Sequence, residues 1–151
     1  SMVTDPEGAV YMALPFDGET ARQMIAAARP LIAKGFRFVV KDHPMSPYQF
    51  TPEKNLERTD KSFFEQAALR ALLYAATTVG LESALAGVPT ARFRPQGKLA
   101  LDILPDGIDL PVAEHQNFEQ VLLSARPPVI NRDRVFSPVN IEFWKRAFAH
   151  D

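Results

Sequence analysis

Short apolar runs alternate along the chain with segments in which apolar residues recur at helical spacing. The first run, residues 9–14, is continuous and ends at Pro15, as expected of a strand buried on both faces. Asp17 then offers the N-cap of a helix, and Gly35 offers its end. The apolar residues between them share one helical face: Ala21, Met24, Ile25, Ala28, Leu31 and Ile32.

The same alternation continues towards residue 124. Further strands are predicted at residues 36–41, 55–59, 71–76 and 90–93. Further helices are predicted at residues 62–70, 81–86 and 115–124. Strands that alternate with helices in this way predict an α/β fold, with a doubly wound, mainly parallel sheet and helices on both of its faces.

The end of the chain has a different pattern. Residues 8–124 are predicted to form the α/β domain, and residues 125–151 a linker followed by a C-terminal helix that begins near Ser137. This helix carries an apolar stripe made of Ile141, Trp144 and Phe148. We expect the stripe either to fold onto the domain or to form an exposed patch that promotes homo-oligomers.

Composition and charge narrow the classes of function. A length of 151 residues fits one domain, and a net charge of −1 leaves no broad basic surface for nucleic acid. The absence of cysteine excludes disulfides, thiolate metal sites and thiol catalysis. No apolar run approaches the roughly 20 residues of a membrane helix. No metal is predicted, because one acidic stretch lacks the spacing of a metal loop: Asp102, Asp106, Asp109 and Glu114.

Ligands of open α/β sheets bind beyond the carboxyl ends of the strands. This rule selects three stretches of the chain, at residues 15–18, 41–44 and 77–82. In the second stretch, Lys41 and His43 are both able to donate hydrogen bonds to an anion.

The third stretch lies between a buried strand and the start of a helix. The hydroxyls of Thr77 and Thr78, together with Gly80, suit an anion there, and Glu82 suits the hydroxyls of a ribose. A purely structural role is the alternative, in which the threonines cap the helix, Glu82 assists them and His43 ends a strand.

Residues 71–93 resemble a segment of known enzymes. The pattern G-x-E-x-x-x-x-G-x-P, here at Gly80, Glu82, Gly87 and Pro89, is similar to the nucleotide-sugar-binding segment of GT-B glycosyltransferases. Residues 41–44, Lys-Asp-His-Pro, resemble the His-Pro motif of bacterial sialyltransferases, Kdo-type capsule transferases and polyol-phosphate transferases.

The resemblance implies a role for each candidate residue. It makes His43 the catalytic residue, acting on the phosphate of the donor, with Thr77 and Thr78 in place of the family's usual serine pair. Nucleotide-binding roles then fall to Lys41, His43, Thr77, Thr78, Gly80 and Glu82.

Residues 8–124 have the size of the C-terminal, Rossmann-like half of a GT-B enzyme. The resemblance therefore implies the donor-binding half of a glycosyltransferase for a bacterial surface polysaccharide or glycan. It implies a CMP- or UDP-linked sugar as substrate, no cofactor, and a glycan acceptor. An N-terminal half outside this chain would supply the general base and contact the last helix, so the domain alone should be inactive. The implied location is the cytoplasm, either free or at the inner face of the membrane.

Two other functions remain open alongside the transferase. One is a GT-B-like nucleotide-sugar epimerase, which uses the same donor-binding half. The other is a non-catalytic α/β binding or scaffold module that has the fold without the ligand. A nucleotide titration separates this last possibility from the two enzymes.

Overall fold

The computed structural model describes residues 4–76, 78–98 and 104–149. Within them the strands are β1 (Thr4–Ala13), β2 (Phe38–Lys41), β3 (Leu56–Arg58), β4 (Leu69–Tyr74), β5 (Thr90–Phe93) and β6 (Val112–Ala113). They form a six-stranded sheet in the order β3-β2-β1-β4-β5-β6, and every neighbouring pair is parallel. This order is that of a Rossmann-like doubly wound sheet, so the predicted fold class is confirmed.

Five α-helices accompany the strands in the described part of the chain. They are α1 (Gly18–Ala33), α2 (Val79–Leu85), α3 (Phe118–Ser124), α4 (Arg132–Val135) and α5 (Pro138–Ala149). The predicted cap of α1 is confirmed, because the Asp17 side chain accepts a hydrogen bond from the Thr20 N–H. The predicted apolar face of α1 is also confirmed, since all six of its residues are buried.

The two faces of the sheet are covered by different helices. On β1, Val10 and Met12 lie in the cluster that also contains the buried residues of α1 and α3. Tyr11 and Ala13 alternate with them and pack on the opposite face, where α2 covers the sheet. Strands of a doubly wound sheet are buried on both faces, which explains why β1 carries a continuous apolar run.

One predicted element is wrong. The helix expected at residues 62–70 is only a short 3₁₀ helix, Phe63–Glu65, and the Ser62 side chain makes no capping hydrogen bond. The chain instead enters β4 at Leu69, which pairs with Ala9 and is only 1% exposed. Pairing with the central strand and burial against it therefore outweigh the local helical preference.

Gly80 allows α2 to pack unusually close to β4. A Cβ atom built on Gly80 would overlap the aromatic ring of Tyr74, which is completely buried in the core between α2 and the sheet. A second contact joins α2 to the sheet, because the hydroxyls of Ser83 on α2 and Thr90 on β5 share a buried hydrogen bond of 2.8 Å. The start of α2 is thus fixed against the end of β4.

The C-terminal helix α5 packs on the domain. Trp144 is 8% exposed, lies in a cluster with Leu81, Ala84 and Ile108, and donates a hydrogen bond from Nε1 to the Val135 carbonyl at 2.9 Å. The predicted stripe has two other members. Ile141 is 44% exposed, and the side chain of Phe148 lies outside the described residues. One side of α5 therefore belongs to the core beside α2.

We expect Gly80→Ala to destabilise the fold by at least about 1 kcal/mol, because the added methyl group overpacks the Tyr74 ring. Gly18→Ala is the matched control, since nothing lies within 4 Å of a Cβ at that position. It should leave the stability unchanged or raise it by up to about 1 kcal/mol. Urea unfolding of both variants is the measurement, and equal stabilities would contradict the close approach of α2.

Trp144→Ala should destabilise the fold by about 3 kcal/mol, because it empties a buried site and removes the hydrogen bond to Val135. Ile141→Ala, on the exposed side of the same helix, should cost less than about 1 kcal/mol. Chemical denaturation checks both values. Similar small losses for the two variants would show that α5 does not pack on this domain in solution.

Candidate functional site

The turn between β1 and α1 is held in place by Asp17. Its carboxylate accepts hydrogen bonds from the Thr20 N–H at 3.1 Å and the Thr20 hydroxyl at 2.6 Å. Lys98, which follows β5 in the chain, pairs with the same carboxylate at 3.1 Å. The Thr20 hydroxyl and the Lys98 ammonium hold the pKa of Asp17 below its usual value. The turn is consequently fixed by both α1 and the segment after β5.

A second pair of hydrogen bonds joins the segment after β5 to α1. The Gln96 N–H donates to Gln23 Oε1 at 2.7 Å, and Gln23 Nε2 donates to the Gln96 carbonyl at 3.1 Å. Together with the Lys98–Asp17 pair, these bonds tie residues 96–98 to the first half of α1. These contacts lie beside the carboxyl end of β1.

The carboxyl ends of β2 and β3 enclose a cleft of about 520 Å³. Two of the predicted site residues, Lys41 and His43, line it together. The remaining lining residues lie at the ends of the same strands or after them: Asp42, Pro44, Pro47, Arg58, Thr59 and Asp60.

His43 is oriented by its neighbours. The Met45 N–H donates to His43 Nδ1 at 3.1 Å, so in the neutral ring the proton is carried by Nε2. The ring also meets that of Phe16 edge to face, with 5.6 Å between the centroids and 88° between the planes. These contacts connect the ends of β1 and β2 and leave Nε2 as the hydrogen-bond donor of His43.

The loop that follows His43 is fixed by an ion pair between Asp42 and Arg58. The second oxygen of Asp42 accepts from the Tyr48 N–H at 3.1 Å, and Arg58 donates to the Tyr48 carbonyl at 2.8 Å. The Arg58 guanidinium also lies 4.4 Å from the centre of the Phe50 ring. Charge-assisted hydrogen bonds from both ends of this pair therefore shape one wall of the cleft.

The end of β4 has an unusual backbone and an unusual hydroxyl. Ala76 has a φ of 54°, a left-handed conformation that a residue with a Cβ rarely adopts and that costs free energy. Thr78 occupies the N-cap position of α2, but its backbone is helical and its side chain makes no capping hydrogen bond. Its Oγ1 is buried and has no hydrogen-bond partner among the described residues. The capping role considered for Thr78 is therefore wrong; Thr77 lies outside the described residues.

Gly80 and Glu82 lie in the first turn of α2, beyond Thr78. The contact with Tyr74 gives Gly80 a packing role that is independent of any ligand. The Glu82 side chain is half-buried, and its backbone N–H donates to the Thr78 carbonyl at 3.3 Å.

The predicted site residues thus form two groups, one on each side of β1. Lys41 and His43 lie at the end of β2, whereas Thr78, Gly80 and Glu82 lie at the end of β4. Neighbouring strands lie about 4.8 Å apart, so β2 and β4 are separated by roughly 10 Å across β1. The direction of the strand order reverses between β1 and β4, where ligands bind in sheets of this kind.

Several residues of this edge were missed by the sequence analysis. Arg58, Thr59 and Asp60 complete the cleft. The strand at residues 55–59 was itself predicted, so applying the carboxyl-end rule to this strand as well would have found these three. Asp42 lies in the selected stretch at residues 41–44 but was given no role there, and the structure shows that it anchors the loop beyond the cleft. The contact of Phe16 with His43 has no local signal, because it joins turns that follow different strands.

Two other kinds of feature are absent from the described residues. They contain no group of three or more histidine, aspartate or glutamate side chains placed to hold a metal ion. They also contain no helix that combines the length and the apolar character needed to cross a membrane.

Comparison with known proteins identifies no relative of the chain. No protein-family model matches the chain, and no curated protein or solved structure matches it either. The residues at the carboxyl edge of the sheet therefore remain the only indication of function in the described part of the chain.

Proposed function

We propose that the chain is the donor-binding half of a nucleotide-sugar-dependent glycosyltransferase, and that it holds the donor phosphate at the carboxyl ends of β1, β2 and β4. The observation that carries the proposal is the buried Thr78 hydroxyl, which has no partner among the described residues. A buried hydroxyl without a hydrogen bond costs free energy. A phosphate oxygen that reaches Thr78 Oγ1, once the groups that cover this atom move aside, would remove a cost that the free protein bears. The position beside the reversal of the strand order supports the same conclusion.

The chemistry in this proposal is electrostatic. As the bond between sugar and phosphate breaks, negative charge develops on the departing nucleotide phosphate. His43 Nε2–H and the Lys41 ammonium would approach it from the side of β2, and the Thr78 hydroxyl from the side of β4. Loops that are already fixed by Asp17 and by the Asp42–Arg58 pair need little reorganisation to do so.

Three further requirements are a contact for the ribose, a general base and a glycan acceptor. Glu82, in the first turn of α2, would accept hydrogen bonds from the ribose hydroxyls of a CMP- or UDP-linked sugar. The general base and the glycan acceptor would belong to an N-terminal half outside this chain. The proposed setting is the synthesis of a bacterial surface polysaccharide or glycan in the cytoplasm.

We expect the domain to bind CMP or UMP weakly, with a Kd of about a millimolar, because half of the binding cleft is absent. His43→Ala should weaken this binding at least about tenfold, since a charge-assisted hydrogen bond contributes roughly 1.5–3 kcal/mol. Calorimetry and NMR titration measure both. His115→Ala is the matched control and should bind as the parent does, because His115 follows β6 at the far edge of the sheet.

Two results would contradict the proposal in different ways. A folded parent that shows neither heat nor chemical-shift change with either nucleotide at millimolar concentration would refute nucleotide binding. Equal affinities for the parent and His43→Ala would instead show that His43 only ends β2. The phosphate would then be bound by other residues.

Glu82→Gln should lower the affinity for a ribonucleotide, because an amide offers one acceptor oxygen where a carboxylate offers two. The same change should leave the affinity for a 2′,3′-dideoxynucleotide nearly unaltered, since that ligand has no hydroxyls to bind. Parallel titrations of the two ligands provide the measurement. Equal losses for both would mean that Glu82 acts on α2 rather than on the ribose.

A further inference from the structure

Phe16 is a large aromatic side chain that is 63% exposed at the carboxyl edge of the sheet. It follows Pro15 in the turn between β1 and α1, and it therefore lies next to the reversal of the strand order. Neither the phosphate contacts nor the ribose contact of the proposed site uses it. Exposed apolar side chains that border a polar site are frequently part of the binding surface.

The backbone on both sides of Phe16 is fixed. The Leu14 N–H donates to the Lys41 carbonyl at 2.9 Å, and Leu14 itself is 2% exposed. On the other side, Asp17 caps α1 and pairs with Lys98. A ligand that binds to Phe16 therefore does not have to order the backbone of this turn.

The Phe16 ring is also placed relative to the phosphate site. Its centroid lies 5.6 Å from that of His43, and the two ring planes are perpendicular. Because the two rings are in contact, a planar group that stacks on the exposed part of Phe16 would lie at the same edge of the sheet as the His43 ring. In a nucleotide, one ribose separates the planar base from the phosphate, so the two contacts can be made by a single molecule.

We propose that Phe16 is the wall on which the base of the bound nucleotide stacks, while His43 holds the phosphate. This inference rests on the proposed function, since it requires a nucleotide at this edge. Every base has a π face, so stacking on Phe16 contributes affinity without selecting between cytosine and uracil. The selection of the base then depends on other groups.

The experiment compares ligands with and without a base. CMP, UMP and ribose 5-phosphate are titrated by NMR into the parent, Phe16→Ala, Phe16→Tyr and Phe64→Ala. Phe64 is the matched control, because it is similarly exposed, at 57%, but lies away from His43 on the connection before β4. Its ring centroid lies 4.0 Å from that of Phe63. Circular dichroism confirms that each variant is folded.

Phe16→Ala should weaken CMP and UMP binding at least about fivefold, the lower end of what stacking on one aromatic ring contributes. The affinity for ribose 5-phosphate should stay within twofold of the parent. Phe16→Tyr should retain the affinity for both nucleotides, because it keeps the aromatic face, and Phe64→Ala should bind all three ligands as the parent does.

The outcomes separate this inference from the proposed function. If the parent binds CMP and ribose 5-phosphate equally well, the phosphate site stands and the stacking role of Phe16 is refuted. Equal losses for all three ligands in Phe16→Ala would also refute stacking, because Phe16 would then act only by supporting His43. If the parent binds neither nucleotide, the proposed function and the role of Phe16 fail together.

Discussion

The pairing of β1 with β2 on one side and with β4 on the other determines where everything else in this protein lies. Residues 10–13 take part in both ladders, and each is at most 7% exposed. Because β1 lies between β2 and β4 in the sheet, its carboxyl end lies between the residues that follow those two strands. The strand order reverses beside β1, which is the position at which sheets of this kind bind their ligands.

The carboxyl edge of the sheet around β1 contains turns that are held by side-chain contacts and a buried hydroxyl that lacks a hydrogen bond among the residues described. Asp17, the Gln23–Gln96 bonds and the Asp42–Arg58 pair fix the turns after β1, β5 and β2. At the end of β4, by contrast, Ala76 has a left-handed backbone and the Thr78 hydroxyl is buried without a partner among the residues described. Strained backbone and unpaired buried polar atoms are costs that functional sites often carry, and in the proposed function a bound phosphate would remove the second of them.

The candidate site could be predicted from the sequence only where a local pattern marks it. Lys41 ends a recognisable strand and His43 and Thr78 follow one, so the carboxyl-end rule selects them. Arg58 ends a strand that was also predicted but to which the rule was not applied, and its guanidinium shapes the cleft. The proposed role of Phe16 depends on its contact with His43, which lies 27 positions further along the chain.

The sequence by itself determined the fold class, the central strands and the buried face of α1, because apolar periodicity and capping residues are local signals. Tertiary structure decided the start of β4 at Leu69, where pairing with β1 replaced a helix, and the existence of β6, which depends on its pairing with β5. It also decided that Trp144 is buried against α2 while Ile141 stays exposed on the same helix. In each of these cases the free energy comes from contacts between distant segments, which no local pattern encodes.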